Sequence, residues 1–181
     1  MTPTENRCVS FKMIYPIVKY GQPVLEKPAE PVAVFDGELE KLVSDMFETM
    51  YAAHGVGLAA PQIGISKRLC VIDISSGKDA NAKIVLTNPI VVATEGRELH
   101  EEGCLSLPVF RADTPRPLRA TVRGQNLQGL EITLSGEGLL ARAFCHEIDH
   151  LNGTLFISHL SRLKRDSIKR KVKQMMKAGE W

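Results

Sequence analysis

The stretch FCHEIDHLNG, residues 144 to 153, sets His146 and His150 four positions apart, with Glu147 directly after the first. On a helix, positions four apart are offset by about 40°, so both imidazoles leave one face a single turn apart, where they can grip one cation. Glu147 lies beside that point, and a metal-activated water needs a nearby carboxylate to take its proton. The competing reading is a helix that carries polar residues incidentally. Leu139, Leu140, Ala143, Phe144, Ile148 and Leu151 surround the pair and argue against it: they place most of the helix inside the molecule, and buried histidines require partners.

Two histidines do not complete a catalytic metal site, which has three protein ligands and one open position. The third candidate is Cys104 in HEEGCLSLP, residues 100 to 108, where a preceding glycine suits a tight extended segment whose backbone comes close to a ligand. A thiolate beside a divalent cation is deprotonated outright, whereas a cysteine without one is a small core hydrophobe. HGVGLAAPQIG, residues 54 to 64, adds a chain of little side-chain bulk, fit to pass close to a substrate, with Gln62 as its strong hydrogen-bonding side chain. It is not a phosphate loop, since neither G-x-G-x-x-G nor G-x-x-x-x-G-K-[ST] is present.

These residues need elements to hold them. Leu39, Leu42, Val43, Met46, Phe47 and Met50 recur at helical spacing after Asp36, a plausible N-cap, with Gly55 as the stop; this predicts an amphipathic N-terminal helix. YGQPVLEKPAEPV before it reads as extended loop because of its prolines. RLCVID, KIVLTNPIVV, RPLRATVRGQN and EITLSG read as short strands, with NLQG as a hairpin turn. A second helix, bearing the two histidines, is expected from Ser135 or Gly136 to Asn152-Gly153. SRLKRDSIKRKVKQMMKA closes the chain as a basic helix. The order predicts an α+β fold: short mixed or antiparallel strands around a central metal-binding H-E-x-x-H helix.

Composition agrees with a globular chain. Of 181 residues, 44% are hydrophobic and 24% charged, with net charge +2, and no apolar run approaches the ~18 residues of a membrane span. One domain is expected over residues 1 to 181, with 1 to 12 as a flexible N-terminal extension and 162 to 181 as basic helix and tail. MTPTENRCVSFK has no apolar core of the signal-peptide kind, so the four cysteines (Cys8, Cys70, Cys104, Cys145) are expected as reduced thiols. From Arg162 to Lys177, eight basic residues face one acidic residue, a pattern that suits either a solvated face or phosphates on RNA.

Taken together and in order, GVGLAAPQIG, EEGCLSLP and HEIDHLNG resemble the three signature motifs of the peptide deformylases, and MIYPIVKYGQPVLEKPAEPV resembles the family's N-terminal strand and loop. The resemblance spans residues 13 to 177. It implies hydrolysis of the N-formyl group from formyl-methionyl nascent polypeptides in the bacterial cytoplasm. It makes Cys104, His146 and His150 the ligands of one divalent metal, Fe2+ by family habit, with Zn2+, Ni2+ or Co2+ also able to occupy the site. Glu147 becomes the general acid/base, and Gln62 with the backbone N–H of Leu105 becomes the oxyanion pair. Val56, Gly57, His100, Leu139 and Ala143 would line the methionine slot, while Glu102 and Arg111, or Arg116, would bind the substrate backbone or form ion pairs behind the site. It also implies ribosome contact through the basic helix, with neither membrane nor DNA as partner. Cys145 stands where the family commonly has Gln. A zinc peptidase of the H-E-x-x-H type is the alternative, disfavoured by a cysteine as third ligand.

Overall fold

The computed structural model describes residues 13 to 181; the expected extension over 1 to 12, with Cys8, lies outside the described residues. Helix α1 spans Gly37–Ala52, and the Asp36 carboxylate accepts the Leu39 amide at 3.0 Å as its cap. Glu38 and Glu40 in its first turn favour the positive end of the helix dipole. Its buried face, Leu39, Val43, Met46, Phe47 and Met50, meets Leu58, Leu69 and Val71.

Five strands form one antiparallel sheet in the order β1 (Gly57–Ala59), β2 (Leu69–Ile72), β3 (Ile84–Glu95), β6 (Arg119–Gln125) and β7 (Glu131–Glu137). Strands β4 (Glu98–Cys104) and β5 (Leu107–Arg116) pair only with each other, as a separate hairpin. All strand pairs are antiparallel, so the expectation of mixed or antiparallel strands resolves to the latter. The β6–β7 turn is tied by Asn126, whose side chain accepts the Gln128 and Leu130 amides at 2.9 and 3.0 Å.

Helix α2 runs over Leu139–Leu151, later than expected: β7 keeps Ser135 and Gly136 in its ladder with β6, and the chain turns at Gly138, φ +56°. A side chain at Gly136 would collide with Leu140 and Phe144, so the glycine is what lets α2 fold back onto β7. The helix packs across all five strands of the sheet and also touches β5. Phe144, Ile148 and Leu151 press on Cys70, Ile72, Leu86 and Val122. Each such buried side chain contributes roughly 1.5–3 kcal/mol. The hairpin is anchored by a further cluster in which Cys104 and Leu107 meet Leu25, Leu155, Phe156, Ile157, Leu160 and Val172. Val172 belongs to α3 (Arg162–Ala178), capped by the Ser161 hydroxyl.

The expected N-terminal strand is absent from residues 13 to 22; that segment works as a strap. The Val18 amide bonds the Gln62 carbonyl at 2.7 Å and the Tyr20 amide bonds the Ser106 carbonyl at 2.9 Å. It thereby stitches together two loops that Gln62 and Ser106 also join through their side chains.

Candidate metal centre and cleft

Helix α2 carries both histidines with their Nε2 atoms 3.2 Å apart. Cys104 ends β4, and the register slips between Gly103 and Cys104, a bulge of the kind that re-aims a side chain. Its Sγ lies 3.2 Å from His150 Nε2, and the donor atoms of Cys104, His146 and His150 all fall within 4.8 Å of one another. Donors bound tetrahedrally at metal–nitrogen and metal–sulfur lengths sit about 3.3–3.6 Å apart, so this cluster has the dimensions for one shared cation. The three residues are nearly enclosed: Cys104 is 9% exposed, His150 1%, and the His146 side chain 12%.

The imidazoles are held differently. Glu102 Oε1 takes His146 Nδ1 at 2.6 Å, which turns Nε2 towards the other two donors. His150 Nδ1 is buried with no hydrogen-bond partner among the described residues. Burial pushes the His150 imidazole well below its ordinary pKa, towards the neutral form that binds metals.

Glu147 is 4% exposed, and its Oε2 is buried without a hydrogen-bond partner among the described residues. An orphaned carboxylate oxygen beside three soft and borderline donors is what a water-activating metal site requires. Burial raises the Glu147 carboxyl, against the pull of His146, to about 7. Gly57 on β1 makes room for it, since a Cβ there would collide with Glu147 Oε1.

Gln62 lies in the short helical turn Ala60–Ile63 after β1 and is 1% exposed. Its Oε1 accepts the Ala59 amide at 2.9 Å, so its Nε2 faces Cys104 Sγ and Ser106 Oγ at 3.6 and 3.5 Å. Leu105 sits in the turn between β4 and β5. Both border a cleft of about 560 Å³ whose wall also includes Val56, Gly57, Leu139, Ala143, Arg111, His146 and Glu147. A larger hollow of about 650 Å³, around Arg119 and Thr121, has neither histidine nor cysteine in its wall; chemistry rather than size selects the cleft.

One expected slot residue stands elsewhere. His100 is not in the cleft wall: on β4 its half-exposed ring bonds Glu98 at 3.0 Å. Arg142, which the sequence reading did not single out, takes a place along that wall and reaches Glu98 at 3.5 Å. Glu102 reaches the cleft, and its oxygens are taken by Arg116 and His146, which is the ion-pair alternative of its two expected roles. Arg111 stays at the rim, 69% exposed and 3.5 Å from Glu101. Ser106, Asp149 and His159 were also missed. Asp149 alone carried a visible signal, an acid inside the H-E-x-x-H segment. Cys145 points away into a small cluster with Ala120 and Ala141, and burial pushes its thiol up to about 11.

Known proteins resemble this chain over most of its length. The family described as "Polypeptide deformylase" matches residues 14–166. A peptide deformylase of Acidobacterium capsulatum is 59% identical over 169 residues, covering 93% of this chain and 99% of the relative. One from Thermodesulfovibrio yellowstonii is 49% identical, covering 88% and 97%. The crystal structure of a Legionella pneumophila peptide deformylase superposes with TM-score 0.84 at 45% identity, covering 92% of this chain and 97% of that one.

Proposed function

The chain belongs to the peptide deformylase family, and from that premise we propose how its residues share the hydrolysis of the N-formyl group from formyl-methionyl nascent polypeptides. The observation that carries the reading is the meeting of Cys104 with His146 and His150 beside a buried, unpartnered Glu147.

Cys104, His146 and His150 hold one divalent cation. Ferrous iron is the proposed resident, while zinc, nickel and cobalt suit the same mixed sulfur and nitrogen donors. When bound, the cation supplies Lewis-acid activation of water and of the formyl carbonyl. Glu147 takes the proton released as the water oxygen attacks the formyl carbon. Gln62 Nε2 and the Leu105 amide donate to the carbonyl oxygen as it gains charge. When the C–N bond breaks, Glu147 returns its proton to the departing nitrogen, leaving formate and a free methionyl amine. Val56, Gly57, Leu139 and Ala143 form the apolar slot for the methionine side chain, and Arg111 at the rim guides the peptide beyond it.

The whole chain works as a single catalytic domain, suited to the bacterial cytoplasm where formylated chains emerge. Among the described residues no helix is long and apolar enough to cross a membrane. Lys169, Arg170 and Lys173 are exposed on α3, in keeping with a phosphate-rich partner such as the ribosome. Neutralising the three should lower co-sedimentation with ribosomes at low salt; unchanged binding would remove that partner.

The test of the reaction is formate release from formyl-Met-Ala-Ser, with an unformylated peptide alongside. Formate from the first and no cleavage of the second is the expected result. Cleavage of an internal bond in the second would favour a peptidase. Gln62→Ala should lower turnover about 10²–10³-fold, the usual cost of one oxyanion donor.

A further inference from the structure

The hairpin that brings Cys104 and the helix that brings the histidines share no strand pairing, so their spacing depends on side chains. The buried guanidinium of Arg116 joins them. Arg116 ends β5, 4% exposed, and its guanidinium forks onto Glu102: Nε to Oε2 at 2.9 Å and Nη2 to Oε1 at 2.7 Å. Its Nη1 donates to Asp149 Oδ2 on α2 at 2.6 Å, where His159 Nε2 also bonds at 2.7 Å. The same Glu102 Oε1 holds His146 Nδ1.

We propose that Arg116 is a positioning residue for deformylation, clamping Glu102 against His146 while tying the β4–β5 hairpin to α2 through Asp149, and thereby fixing the geometry of Cys104 relative to the two imidazoles. The proposal rests on the ligand roles given to Cys104, His146 and His150. Arg116 acts from behind the site. It borders a hollow with Cys145, Ile148, Asp149 and His159 on the far side of α2 and is absent from the cleft wall, so a direct contact with substrate is not its function. His150 has no comparable tether among the described residues, so of the two imidazoles given ligand roles His146 is the one oriented through a carboxylate. A lysine cannot replace it, because a point charge reaches one carboxylate where the planar fork spans two.

The experiment uses the full chain with Arg116→Lys, Glu102→Gln and the double variant, with Arg119→Met, an exposed arginine paired to Glu95 and Glu137, as the control. Circular dichroism checks folding. Co2+ is the probe: its thiolate absorption reports Cys104 in the coordination sphere, and competition against a chelator gives affinity. Arg116→Lys is expected to weaken Co2+ binding about 10–100-fold and to alter that absorption. It should lower kcat on formyl-Met-Ala-Ser with KM nearly unchanged, while Arg119→Met matches wild type. Because Arg116 acts in part through Glu102, the double variant loses less than the sum of the two single losses. Glu102→Gln keeps an acceptor for His146, so the link is readable from its other end should Arg116→Lys fold poorly. Wild-type Co2+ affinity and spectrum in Arg116→Lys, a rise in KM with kcat preserved, or additive losses in the double variant would each overturn the proposal. Failure of the wild-type protein to show thiolate–Co2+ absorption would instead overturn the ligand assignment beneath it.

Discussion

Gly57 is a glycine because Glu147 fills the space a side chain would need. A Cβ there would overlap Glu147 Oε1 and lie 2.8 Å from its Cδ, with β1 backbone on one side and α2 on the other leaving little freedom to move apart. On the proposed roles, Gly57→Ala should therefore swing the carboxylate out of line with the reacting water while leaving Cys104, His146 and His150 where they are. The expected outcome is a fall in kcat of at least about 10²-fold, the scale of lost general acid–base catalysis, with metal content and circular dichroism retained. A variant with normal turnover would mean that Glu147 has another resting place. From sequence, the small residues of GVGLAAPQ announced a close approach, but of chain to substrate; that the nearest atom belongs to Glu147 was not legible, because 90 residues separate the two positions and no local pattern records the crossing. Gln62 was legible for the opposite reason. Within its loop it is the single strong donor, and its own backbone neighbour, the Ala59 amide, sets which end of the amide faces the cleft.

At the scale of elements, periodicity served where one face is buried and failed where neither is. The α1 pattern ends in a buried stripe, and β2, β3, β6 and β7 stand close to where their β-branched runs placed them, whereas the three-residue β1 was read only as a chain of little side-chain bulk. The β4–β5 hairpin went unread as strands: along Glu98–Cys104 most side chains are exposed or half-buried, including three glutamates and a histidine, so no apolar alternation marks it. The onset of α2 was placed too early because Ser135 looks like a cap, whereas the true boundary is Gly138, which offers no side-chain bond. Helix α2 is also where packing and chemistry meet most directly. Phe144 is fully buried against the sheet, two positions before His146. Phe144→Ala should cost about 3–5 kcal/mol, seen as a lower urea midpoint, and metal should restore part of it, since a cation bound only by the folded state stabilises that state. A variant whose midpoint rises less with metal than that of wild type would show that the cavity had disturbed the ligand geometry as well.

Across the whole molecule, two buried carboxylates join pieces that sheet pairing leaves apart. Asp45 on α1 accepts the Met13 amide at 2.9 Å and pairs with Lys41, fastening the strap to the helix. Asp73, fully buried after β2, accepts from Tyr51 Oη at 2.6 Å, Ser75 Oγ at 2.6 Å, and the Ser75 and Gly77 amides at 2.8 and 2.9 Å, fastening the end of α1 to the sheet. Burial alone would raise the Asp73 pKa, but these donors outweigh it and hold it below its ordinary value; the same holds for Asp45 with Lys41 and Met13. A carboxyl depressed on folding contributes stability above its unfolded pKa and loses it as pH falls through the folded value. The stability of this protein should accordingly decline below about pH 4–5, where unfolded aspartates begin to take up protons. Asp73→Asn removes one titrating group and leaves donors without their ionic acceptor, so at pH 7 it should cost about 2 kcal/mol or more. Its stability should then fall less steeply than that of wild type as acid is added. Urea midpoints taken at intervals between pH 3 and pH 7 test the sign directly: the two curves should converge toward low pH, and curves that stay parallel would show that Asp73 takes up its proton equally in both states.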